Sequence, residues 1–207
     1  MTRPLVKICG ITSISDARTC VDLGVDLIGL NFYEPSPRFL KVEAARRIAD
    51  AVRGRVELVG VMVDRSAAEV EAIDAQVGLD RVQFHGDEPE AMVNRMGDRA
   101  IRALRVDPAV TFEPSRLEVW PAVWGFLFDV ACEGYGGSGV SWPYDRIAAS
   151  TGGRRTMVAG GISPETAREA LKLSGAGGVD VCSGVETAPG VKDADAIERL
   201  VEEVRGG

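Results

Sequence analysis

Eight copies of one unit, a short apolar run followed by a loop and a helical-period stretch, recur along this chain at intervals of about 25 residues, and no other feature restricts its fold as much. The runs are Leu5–Ile8, 26–32, 57–63, Arg81–Phe84, Ala100–Val106, 124–130, Thr156–Ala159 and 179–182. Helices are predicted over 16–23, with Ser13 or Ser15 as cap and Gly24 as stop, then over Val42–Val52, Ala67–Val77, 88–96, 144–149, 164–173 and 194–204. The segment 108–118 is poorly marked, because Pro108 and Pro114 break its pattern. Near-continuous apolar strands are buried on both faces, and eight of them in alternation with helices favour a closed parallel (β/α)8 barrel. An open doubly wound sheet needs fewer units, and the GxGxxG fingerprint is absent after the first strand. With 207 residues, 45% of them apolar, and no linker or low-complexity tract, a single α/β domain over 1–207 is expected.

In such a barrel every strand's C-terminal end opens on one face, so the residues at those ends are the candidates for chemistry. Cys9 ends the first strand. Strand alternation puts Lys7 on the same face, and a cation beside a thiol favours thiolate, making Cys9 a candidate base or nucleophile. A small buried hydrophobe is the competing reading. Asp129 ends the sixth strand in Phe126-Leu127-Phe128-Asp129-Val130, where it is either a general acid or a carboxylate bonded to a loop. Arg38, between Pro37 and Phe39, is placed to fork onto a carboxylate or phosphate, or is simply solvated. His85, the only histidine, follows Gln83 and Phe84 at the end of the fourth strand; a structural or pocket-wall role outweighs an acid-base one there.

Glycine-rich turns after strands seven and eight are where barrels bind phosphate, because bare backbone N–H groups approach the anion at a helix N-terminus. Gly160-Gly161 and Ser183-Gly184 occupy those two positions. A third run, Gly134-Tyr135-Gly136-Gly137-Ser138-Gly139, adds a lid or a further phosphate contact.

A formal charge of −7 argues against non-specific binding to nucleic acid or to an anionic membrane. No apolar run approaches the ~20 residues that span a bilayer, and no signal segment follows Met1, so a soluble, cytoplasmic protein is expected. Cysteines 9, 20, 132 and 182 form no CxxC pair, which fits reduced thiols rather than disulfides or structural zinc.

Taken together, KICGIT at 7–12, GLNFYEPSPRFL at 29–40, VQFHGDE at 82–88, FDV at 128–130, YGGSG at 135–139, AGGI at 159–162 and VDVCSGVETAPGVKD at 179–193 resemble the phosphoribosylanthranilate isomerases of tryptophan biosynthesis, a (β/α)8 TIM-barrel family. The resemblance implies Cys9 as general base and Asp129 as general acid. It also implies Arg38 on the anthranilate carboxylate, Gly136, Gly137, Gly160, Gly161, Ser183 and Gly184 around the sugar phosphate, and further substrate contacts at Lys7, Gln83 and Asp180. The reaction it implies is an Amadori rearrangement of N-(5′-phosphoribosyl)anthranilate, an internal redox step that calls for no nicotinamide, flavin or metal. The implied partner is that small phosphosugar, with no nucleic acid or membrane and with monomer and homodimer both open. Three positions depart from the pattern. Val130 and Val140 replace a hydroxyl and a basic residue, and Cys182 stands where serine is common. The nearest alternatives are a sugar-phosphate epimerase, the histidine-pathway isomerase, or a barrel that binds a phosphometabolite without turnover. One histidine cannot supply the metal ligands that epimerases use.

Overall fold

A computed structural model describes residues 3–106, 112–130 and 153–206. Eight strands form the barrel: β1 Leu5–Ile8, β2 Leu27–Asn31, β3 Glu57–Met62, β4 Arg81–Phe84, β5 Ala100–Val106, β6 Gly125–Val130, β7 Thr156–Ala159 and β8 Gly178–Val181. Each pairs in parallel with the next, and β8 closes the ring on β1 with Lys7 opposite Asp180 and Ile8 opposite Val181. The helices between them are α1 Ile14–Asp22, α2 Val42–Val52, α3 Ala67–Val77, α4 Glu90–Met96, α5 Pro164–Ser174 and α6 Ala194–Arg205. No helix among the described residues is long and apolar enough to cross a membrane.

Alternation along the strands builds two apolar layers. Outward residues such as Ile8, Phe84, Phe126, Phe128 and Val179 pack against the helices. Inward residues Leu27, Val59, Ile101, Leu127 and Met157 fill the barrel itself. Lys7, Gln83 and Asp180 also point inward, so the interior is apolar below and polar toward the mouth.

Local signals set most helix ends. Ser13 caps α1 by accepting from the Asp16 N–H at 3.0 Å, and Ser66 with Glu69 forms a reciprocal capping box on α3. Helix α4 starts at Glu90, two residues later than the periodicity predicts, because Glu88 is drawn inward. Its buried carboxylate accepts from the N–H groups of Asp64 and Gly86 and from Arg102 at 2.7 Å, which removes it from the helix. Strand β8 ends one residue early, at Val181, because Cys182 leaves the ladder (ψ −84°) into the 3-10 turn Ser183–Val185. The small antiparallel pair β9 Glu186–Ala188 and β10 Val191–Lys192 is not predicted, since the runs are too short to carry a period. Within 108–118 the described part holds one 3-10 turn, Pro114–Leu117. The glycine run with Gly136 and Gly137, Val140 and the expected helix at 144–149 lie outside the described residues.

Candidate active site

The mouth of the barrel is organised on a buried ion pair. Lys7 has no exposed surface, and its Nζ donates to Asp180 Oδ2 at 2.7 Å directly across the β1–β8 ladder. Burial pushes the Asp180 carboxyl up to about 6, against the pull of Lys7. At Lys7 burial opposes the charge, but Asp180 and then Cys9 outweigh it and leave the ammonium above its ordinary value. Asp180 Oδ1 is buried without a hydrogen-bond partner among the described residues.

Cys9 sits one step above Lys7, in the first position past β1. The neighbouring Cys182 thiol, then Lys7 and Lys192, outweigh burial and hold the Cys9 thiol well below its usual range. Cys182 moves the other way, raised by its closeness to Cys9 and by burial; its thiol lies 3.9 Å from Glu186 Oε1. Of the two, Cys9 is the one pushed toward ionisation. Strand β2 makes room for that sulfur: a Cβ at Gly29 would stand 2.8 Å from Cys9 Sγ, so any side chain there displaces it.

On the far side of the mouth, Gln83 Nε2 donates to His85 Nδ1 at 3.0 Å, which leaves the imidazole proton on Nε2, donated to Asp129 Oδ2 at 3.0 Å. His85 thus has a structural role at the mouth: it holds the candidate acid. Position in the sequence understates this, because the contact joins the ends of two strands that are not neighbours in the ring.

Arg38 reaches in from the loop after β2, its aliphatic part crossing Gly10. Its Nε and Nη2 donate to Glu186 at 2.9 and 2.5 Å, and that bidentate bond raises the guanidinium further above its ordinary value. Burial disfavours a charged Glu186, yet the bonds from Arg38 and Lys192 outweigh it and hold the carboxyl low. Lys192 Nζ, buried with Glu186, donates to Glu186 at 2.8 Å and to the carbonyls of Cys9 (2.6 Å) and Cys182 (3.2 Å). Glu186 and Lys192 were not among the sequence candidates. The available signal was their place in a long polar segment just after the last strand, and nothing local marks such residues as partners of Arg38 and Cys9.

The two glycine turns lie side by side. Gly160 and Gly161 follow β7 with φ of 95° and 64°, and Ser163 caps α5 directly after them. Gly184 packs so closely on this turn that a Cβ would collide with the Ile162 carbonyl oxygen. Cys9, Asp129, Arg38 and both turns therefore rim one opening, with Lys7, Asp180 and Gln83 buried in the barrel beneath it.

Comparison with known proteins points to one family. A family model described as N-(5′-phosphoribosyl)anthranilate (PRA) isomerase matches residues 6–203. The N-(5′-phosphoribosyl)anthranilate isomerase of Acidithiobacillus ferrooxidans is 41% identical, covering 97% of each chain, and that of Myxococcus xanthus is 39% identical over 95% of this chain and 93% of its own. Phosphoribosyl anthranilate isomerase from Thermotoga maritima superposes with a TM-score of 0.86 at 33% identity, covering 99% of this chain and all of the other. Another phosphoribosyl anthranilate isomerase, solved with reduced 1-(o-carboxyphenylamino)-1-deoxyribulose 5-phosphate, superposes at 0.80 with 31% identity, over 99% of this chain and all of that one.

Proposed function

This chain belongs to the N-(5′-phosphoribosyl)anthranilate isomerase family, and on that premise we propose that Cys9 is its general base and Asp129 its general acid. The enzyme converts N-(5′-phosphoribosyl)anthranilate into 1-(2-carboxyphenylamino)-1-deoxyribulose 5-phosphate, a step of tryptophan biosynthesis. The observation that carries the assignment is a thiol beside buried lysines and a histidine-held carboxyl at the rim of one opening.

Asp129 gives a proton to the ribose ring oxygen, the C1′–O bond breaks, and the ring opens to a protonated Schiff base. The Cys9 thiolate then removes the proton from C2′, and the electron pair moves into the C1′–C2′ bond to neutralise the iminium. The resulting enolamine becomes the ketone by moving its hydroxyl proton to C1′. A thiolate suits this work because its fixed cations keep it ionised near neutral pH. His85 Nε2–H keeps one Asp129 oxygen occupied, so the proton to be delivered resides on the other. Asp180 Oδ1, buried and unpaired among the described residues, supports a contact to the substrate's aromatic amine. Lys7 and Gln83 have no exposed surface, which supports roles through Cys9, Asp180 and His85 rather than through direct contact with substrate. Arg38 spends Nε and Nη2 on Glu186, and its guanidinium has five donors, so it can hold the anthranilate carboxylate while staying anchored. Gly160, Gly161, Ser183 and Gly184 cradle the sugar phosphate. The assigned contacts of Gly136 and Gly137 fall outside the described residues.

The test follows the decay of anthranilate-type fluorescence as substrate generated in situ is consumed. Turnover is expected in the parent protein, with kcat falling by at least ~100-fold in Asp129→Asn, which keeps the bond from His85 but carries no acidic proton. A folded parent without turnover would overturn the isomerase reading. Gly184→Ala tests the phosphate turns, because its Cβ forces apart two loops that must close on one anion. A loss of roughly 10²-fold in kcat/KM is expected for such misplacement, most of it in KM. An unchanged KM for the phosphorylated substrate would remove these turns from the site.

A further inference from the structure

Cys182 is a nucleophile that the isomerisation does not use, and it stands beside the one sulfur that the reaction needs. The register of β1 on β8 pairs Lys7 with Asp180 and Ile8 with Val181, and the Cys9 N–H bonds to the Val181 carbonyl at 2.9 Å, so Cys9 and Cys182 leave the ladder side by side. Inward alternation turns both side chains to the same opening, and Lys192 ties the two backbones together by donating to both carbonyls. Adjacent strands lie about 4.8 Å apart, within the roughly 4.4–6.8 Å between Cα atoms that a disulfide requires. Both residues are only partly buried, whereas Cys20 is sealed in the core.

We propose that Cys9 and Cys182 form a redox-active dithiol: hydroperoxides oxidise Cys9, Cys182 closes a disulfide onto it, and the bridge reversibly withdraws the catalytic base. In the first step the Cys9 thiolate attacks a peroxide oxygen, the O–O bond breaks, and hydroxide leaves to give a sulfenic acid. In the second, the Cys182 sulfur displaces that hydroxyl; the S–O bond breaks, the S–S bond forms, and the thiol proton departs with the hydroxyl as water. The two sulfurs lose two electrons in all and one peroxide gains them. Reduction by a dithiol reverses the bridge. The electrostatics agree, since Cys9 is pushed toward the thiolate that the first step needs and Cys182 toward the thiol that the second deprotonates, while burial pushes Cys20 up to about 12 and leaves it unreactive. The bridge itself stands on strand geometry; its effect on turnover rests on Cys9 being the base.

The experiment treats the reduced, full-length protein with equimolar hydrogen peroxide and follows intact mass, non-reducing peptide maps and isomerase activity together. Expected are the loss of two hydrogen masses, a Cys9–Cys182 cross-linked peptide, and an activity loss of more than ~10-fold that dithiothreitol restores. In Cys182→Ser, measured against its own starting activity, two or more equivalents of peroxide are expected to drive Cys9 through sulfenic to sulfinic acid, one peroxide per step, and dithiothreitol should no longer restore turnover. A parent map showing no cross-link, or a bridge from Cys9 to Cys132 or Cys20, overturns the proposal. A Cys9–Cys182 bridge with turnover intact would support the dithiol and overturn Cys9 as the base.

Discussion

Cys9→Ser is expected to lower kcat by about 10²–10⁴-fold while leaving the fold and product binding intact, because the barrel then lacks its positioned base. Serine fits the space that Gly29 leaves for the sulfur, so the loss reports on ionisation rather than on packing. The parent's pH profile gives an independent check. A thiol held below its ordinary value of roughly 8.5 is ionised at lower pH, so kcat/KM should rise with pH through an acid-side limb lying below that value. Cys9→Ser should lose this limb together with its rate. Wild-type rates in the serine variant would move the base elsewhere.

Lys7→Met should cost the fold about 3–5 kcal/mol at neutral pH, since it leaves the buried Asp180 carboxylate without its counter-charge. Methionine is close to lysine in length, which limits the cavity contribution. The pH dependence has a definite sign. The folded value of Lys7 lies above its ordinary one, so its contribution is fully present below the ordinary value of roughly 10.4 and is lost only as pH rises through the folded value. Asp180 in the parent already titrates near 6, above its unfolded value of roughly 3.9, so ionising it costs stability as pH rises through that window. Without Lys7 that cost grows. The difference between parent and variant should therefore be larger at pH 8 than at pH 5, where Asp180 can take up a proton. Urea unfolding at the two pH values measures it, and equal losses would assign the cost to packing instead. The same substitution removes one cation from Cys9, so the acid-side limb of the variant should shift upward.

All eight strand positions, the cap at Ser13, the bounds Ala67–Val77 of α3, and the placement of Cys9, Asp129, Gly160 and Gly161 past or at strand ends were legible because each depends on neighbours a few residues away. Where the reading missed locally, a distant contact had intervened. Glu88 leaves its helix for Arg102, and Cys182 leaves its strand for a 3-10 turn with its carbonyl taken by Lys192.

The roles of the partners were decided elsewhere. Lys7 meets Asp180 across 173 residues, Arg38 meets Glu186 across 148, and His85 meets Asp129 across 44. None of these pairings has a periodic or spacing signature, because closing the ring of eight strands is what brings them within 3 Å. By itself the sequence determined the unit, its number, the face on which chemistry would sit and, through family motifs, the reaction. Only the tertiary structure decided which thiol is pushed toward ionisation, what grips the acid and what anchors the arginine, since charge, burial and hydrogen bonding are properties of neighbours in space rather than along the chain.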